Sequence, residues 1–150
     1  EGVKPTDAAV EKIEQPKEKA QAEEPPELPI GDYMIPMLAT LKSMKQIFPL
    51  FKVETQPDGL VEMTGSTAVS TVVMRFKNEE LVYFQLNYVG DKAAEAPLAK
   101  IKKKFGEGRT EKQNSQLITK WNFGRYVITS SAWENLESGE KGIKIFIEAK

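Results

Sequence analysis

The chain has 150 residues, a length that suits one domain with a short appendage, and it contains neither cysteine nor histidine. Those two absences exclude disulfides, thiol nucleophiles, thiolate zinc sites and any catalytic triad built on an imidazole, and they remove the commonest metal ligand. The net charge is −1, and the +3 carried by residues 30–150 is too small to predict a strong affinity for nucleic acid.

That charge is unevenly distributed. Residues 1–29 carry eight acids, four lysines and five of the nine prolines, and no aromatic residue. The remaining residues, 30–150, carry +3 and hold every Phe, Tyr and Trp. The first segment cannot bury enough apolar surface to offset the entropy of ordering, so a disordered, acidic, proline-rich tail is expected over 1–29 and an α+β domain over 30–150. Within the tail, Thr6–Gln15 could form a short helix, with Thr6 as cap and Ala9, Val10 and Ile13 close to one face, ended by Pro16. The chain starts on Glu, so a processed or truncated form is expected, and a removed signal peptide is one explanation. No apolar run approaches the roughly 20 residues of a membrane-spanning helix.

The first regular element is expected as an amphipathic helix over about 33–47. Asp32 would cap it, Met34, Met37, Leu38, Leu41 and Met44 recur at helical spacing, and Pro49 closes it. The period then changes to two. Strands are expected over 50–55 and 60–64, around the turn Gln56-Pro57-Asp58-Gly59, and over 69–76 and 81–89, around Lys77-Asn78-Glu79-Glu80. In the last of these, Val82, Phe84, Leu86 and Tyr88 are assigned to one face and Leu81, Tyr83, Gln85 and Asn87 to the other. A second helix is expected over about 94–105, with a stripe of Ala94, Leu98, Ile101 and Phe105 and Gly106 as its stop. A polar loop follows over 107–115, then three strands over 117–123, 126–131 and 143–147.

The expected fold is thus an antiparallel sheet of about seven strands with both helices packed on one face, in the order α-ββββ-α-βββ. That order suggests an internal duplication. The second half, with Phe105-Gly106, then Trp121-Asn122-Phe123-Gly124 and a final strand, resembles small bacterial envelope domains of the β-lactamase-inhibitor-like and outer-membrane-assembly lipoprotein kinds. The resemblance spans about 50 residues and carries over no residue role.

Trp121, Phe123, Tyr126 and Trp133 cluster around one hairpin and are the candidate protein-binding residues. Aromatic side chains anchor interfaces well, and Trp133 with its loop to Gly142 is expected to be the most exposed. Lys100, Lys103, Lys104 and Arg109 form a candidate surface for anions or anionic lipid. Gly106-Glu107-Gly108-Arg109 follows a helix rather than a strand, which suits a helix cap better than a phosphate loop. The domain's 14 acids are scattered, and none lies inside an apolar run where burial would raise its pKa. No cofactor, metal site or catalytic residue is assigned. The expected function is a non-enzymatic protein-interaction or structural domain of the bacterial cell envelope, extracytoplasmic and tethered by its tail. Two other readings stand beside it: a module binding a small apolar ligand between the sheet and a helix lined by Met34, Met37 and Met44, and a hydrolase using carboxylates alone.

Overall fold

A computed structural model describes residues 25–90, 92–114 and 116–150. Most of the tail, including the Thr6–Gln15 stretch, lies outside the described residues.

The chain enters as a hairpin. Strands β1 (Glu27–Ile30) and β2 (Tyr33–Pro36) pair antiparallel across Gly31-Asp32, with Gly31 at φ 62. The helix expected from residue 33 is therefore corrected. Gly31 supplies the left-handed conformation of a tight two-residue turn, and Asp32 serves that turn rather than a helix. Leu28 and Ile30 are each 1% exposed, so the hairpin is stitched into the core. The helix itself, α1, is only Leu41–Ile47. Thr40 caps it: its Oγ1 accepts from the Ser43 amide at 3.1 Å, satisfying one of the free N–H groups of the first turn.

Eight further strands build one antiparallel sheet. They are β3 (Lys52–Thr55), β4 (Val61–Ser66), β5 (Ser70–Lys77), β6 (Glu80–Val89), β7 (Arg109–Gln113), β8 (Gln116–Phe123), β9 (Tyr126–Glu134) and β10 (Lys141–Ala149), with helix α2 (Lys92–Phe105) between β6 and β7. The spatial order is β3-β4-β5-β6-β10-β9-β8-β7. The expected seven-strand order is corrected to eight because β7, Arg-Thr-Glu-Lys-Gln, occupies part of the stretch read as a loop. It is an edge strand with no apolar residue, so the pattern of two has nothing to mark. Sheet order divides the molecule into two αββββ units: α1 with β3–β6, and α2 with β7–β10. The last strand of each unit meets the other at the centre, and the first strand of each forms an outer edge.

One face of the sheet is covered. Met63, Met74, Phe84, Ile147, Ile128 and Trp121 stand in register across six strands, none more than 3% exposed. Burying each such side chain contributes roughly 1.5–3 kcal/mol. Both helices close over this face. Phe105 of α2 packs edge-on against Phe123, with ring centroids 4.8 Å apart, and the Trp121 indole donates to the Gly106 carbonyl at 2.9 Å. Beyond α1, the Phe51 ring lies over Gly65, where any Cβ would collide with it. The strict alternation expected in β6 fails at one point. The register shifts between Arg75 and Phe76, so Val82 is left over and Leu81 pairs with Phe76 on the covered face, fully buried.

The other face is open and mixed. The Arg75 guanidinium lies 4.8 Å from the centroid of the Tyr83 ring, and its Nε sits 3.0 Å from Glu62 Oε2. The Tyr83 and Phe146 rings are 5.9 Å apart, and Lys144 Nζ lies 5.4 Å from the Phe146 centroid.

Candidate functional site: an open apolar corner

Large aliphatic side chains are exposed at Leu50, Val53, Val69, Val89, Leu117 and Leu136. All but Val53 belong to one end of the sheet, the end that carries the β4–β5 turn and the β9–β10 loop. Turns at the opposite end are polar: Gln56-Pro57-Asp58-Gly59, Asn78-Glu79 and Gly124-Arg125. The register explains why the apolar end is bare. Tyr88, Ile143 and Ala132 align on the covered face, and Leu117 on β8 continues the row. Tyr88 is 3% exposed, Ile143 is half-buried, and Ala132 and Leu117 are exposed. Helix α2 begins at Lys92, just past Val89 and Gly90, and leads away toward Phe123, so its cover runs out along this row.

The result is a groove of about 920 Å³ bordered by Val89, Leu117, Ala132, Trp133, Leu136 and Ile143, with Glu134 and Lys141 also on its lining. The β9–β10 loop holds Leu136 out in water at 87% exposure. That loop is built rather than slack. Asn135 Oδ1 accepts from the amides of Glu137 and Ser138, and the Asn135 amide donates to the Glu140 carbonyl at 2.7 Å. Trp133 is fixed as well. Its indole N–H donates to Asn87 Oδ1 at 2.6 Å, and its ring passes over Gly142, where a Cβ would strike both the indole and the Tyr88 carbonyl.

Of the four aromatic candidates, Trp133 alone meets this groove. Trp121 is 3% and Tyr126 1% exposed, and Phe123 packs against Phe105. Burial takes Trp121 and Tyr126 out of any contact surface: their alternation in β8 and β9 points them into the core. Lys100, Lys103 and Lys104 are exposed on α2, and Arg109 is exposed on β7. Lys100 and Lys104 border a second groove, of about 190 Å³, together with Glu27, Leu28 and Pro97. Gly106 lies at φ 92 with its amide donating to the Lys102 carbonyl, the geometry of a helix cap. Met37 and Met44 are fully buried, while Met34 lines the smaller groove.

Sequence reasoning reached Trp133 and its loop but missed Val89, Leu117 and Leu136. Exposure of an aliphatic side chain depends on where the covering helix ends, which the period of a strand does not record. Burial pushes the Tyr88 phenol up to about 12, and burial also raises Tyr83, against the pull of Arg75. Among the described residues there is no group of three or more acidic side chains placed to hold a metal ion, and no helix is long and apolar enough to cross a membrane. Compared with protein-family models, curated proteins and solved structures, the chain matches none significantly.

Proposed function

We propose that this chain is a non-enzymatic protein-interaction domain of a bacterial cell envelope, extracytoplasmic and tethered through its N-terminal residues, and that its partner docks in the open corner. The observation that carries this reading is the row Tyr88–Ile143–Ala132–Leu117, which leaves its cover halfway, under a loop that holds Leu136 in water. Exposed aliphatic residues gathered at one end of a molecule mark a contact surface. Trp133 supplies an amphipathic anchor at the rim of the groove, its indole on the opposite face of the sheet from that row and its N–H already satisfied by Asn87. The charge of the domain is too small to favour nucleic acid. The envelope setting is supported by the resemblance of the second half to small envelope domains. The pairing of two αββββ units in one sheet supports a tandem repeat. A ligand cleft beside the methionines finds no support, since Met37 and Met44 fill the core.

The test is a photo-crosslinking residue at position 89, exposed on the groove lining, used in intact envelopes. A discrete crosslinked partner is expected, and Leu117→Asp with Leu136→Asp should reduce its recovery by more than about tenfold while thermal unfolding stays unchanged. Equal recovery from the double variant refutes the reading.

A further inference from the structure

We infer that two copies of this chain pair through their β3 strands, antiparallel and centred on Val53, so that the sheet continues across a two-fold axis. Val53 is the exposed aliphatic side chain that the open corner does not explain. It pairs with Met63, so it extends the covered row that runs from Met63 to Trp121, yet it is 38% exposed while Met63 is fully buried. The row is cut by the edge of the sheet before its apolar residues end. All four β3 residues are exposed, and among the described residues no strand pairs with their outer side. The backbone there is set to receive a strand. The β3–β4 turn closes with the Gln56 amide donating to the Leu60 carbonyl at 2.7 Å. Bonded and non-bonded pairs alternate from that point, so Thr55 and Val53 turn their N–H and C=O groups to the free edge. A second β3 laid antiparallel on this edge makes Val53 and its copy a hydrogen-bonded pair, with Thr55 N–H meeting the Phe51 carbonyl on either side.

Charge selects a second copy as the occupant. Lys52 and Glu54 lie on the open face, 3.2 Å apart at their charged ends, and Glu54 stands directly opposite Glu62, a like charge. Glu62 is engaged by Arg75 at 3.0 Å. In the two-fold register Lys52 of each copy comes directly opposite the second copy's Glu54, which gives two cation–anion pairs across the new seam. The far edge of the sheet has no such self-complementarity. A two-fold register centred on β7 would set Glu111 against itself, and Lys112, paired with Leu117, puts a charge on the covered side of that edge, where it discourages pairing. Strand β3 carries neither proline nor a charge on its covered side. A seam of four residues is small, so the dimer is weak and depends on concentration. No residue of β3 lines the open corner, so the pairing is independent of docking there.

Sedimentation of the full chain from about 10 µM to about 1 mM, a span that reveals any dissociation constant below the millimolar, tests the inference. The average mass should rise toward that of a dimer and no further. Lys52→Glu sets glutamate against glutamate at both contacts, and Glu54→Lys sets lysine against lysine, so each variant alone should dimerise at least about tenfold more weakly. Both positions are exposed, so neither change threatens the fold. Mixed in equal amounts, the two variants are complementary at both contacts, and the dimer should return. A chain that stays monomeric over the whole range overturns the inference. So does a dimer indifferent to both charge reversals, or a mixture that fails to restore it. Growth beyond two copies also overturns it, because β3 would then be pairing with β7 of the next copy in an open chain. The readout needs no other partner, so it stands or falls separately from the crosslinking experiment.

Discussion

The two units of the sheet treat the first residues of their central strands in opposite ways. In the first, β6 opens under a lid of its own chain, and Met37, Leu38, Ala39 and Leu41 are all buried there. In the second, β10 opens into a groove, because the chain passes from β6 to α2 through Gly90 and one further residue, too short a connection to supply apolar cover. The chain just ahead of each helix bridges to the start of its unit's last strand, Thr40 with Glu80 and Gly90 with Gly142. The architecture is shared, and the difference lies in how much chain precedes the helix. The segment Met37–Thr40 seals one corner, and the lack of a counterpart among the described residues leaves the other open.

The contrast can be broken most sharply by truncating one leucine on each side. Leu81→Ala in the sealed corner should cost about 2–5 kcal/mol in denaturant unfolding, and Leu117→Ala in the open corner less than about 0.5. Comparable losses would show that the second corner is covered too. Tyr88 stands where cover begins to fail, and its titration sharpens the boundary. Its phenol ionises near 10 in the unfolded chain and about 12 in the fold. The folded state therefore keeps a proton that the unfolded state has released, and stability should fall as pH rises from 10 toward 12, by roughly 2 kcal/mol. Tyr88→Phe should remove most of that slope in an alkaline melt, leaving the smaller part that the raised Tyr83 contributes. Smaller again is Thr40→Ala, which loses the cap at the edge of the sealed corner and should cost about 1 kcal/mol. Smallest is Leu136→Asp, which should leave stability within about 0.5 kcal/mol, as a side chain already in water permits.

The sequence was most legible where burial is complete. Phe84, Leu86 and Tyr88 alternate because they face a filled interior, and the α2 stripe of Ala94, Leu98, Ile101 and Phe105 predicts that helix to within two residues of its start. Legibility failed where local patterns fit two structures. Met34, Met37 and Leu41 satisfy helical spacing, but Gly31-Asp32 makes the turn that pairs β1 with β2. The period of two puts Leu81 on the open face, whereas the one-residue bulge, which leaves no mark on that period, turns it to the covered one. Strand β7 escaped notice because charged edge residues have no buried side to betray them. At the site itself, Trp133 could be found from its chemistry, whereas Leu117 and Leu136 look like any other strand and loop leucine until the end of α2 is known.

The seam between β6 and β10 has a consequence for how the protein comes apart. Each unit contributes three members to the buried row from Met63 to Trp121, and Phe84 and Ile147 face each other across the seam. Peeling either unit away would bare the inner half of that row to water. The two units are therefore thermodynamically one body, and they should melt in a single transition whose calorimetric and van't Hoff enthalpies agree. Mechanical or proteolytic insult should leave no half-folded survivor.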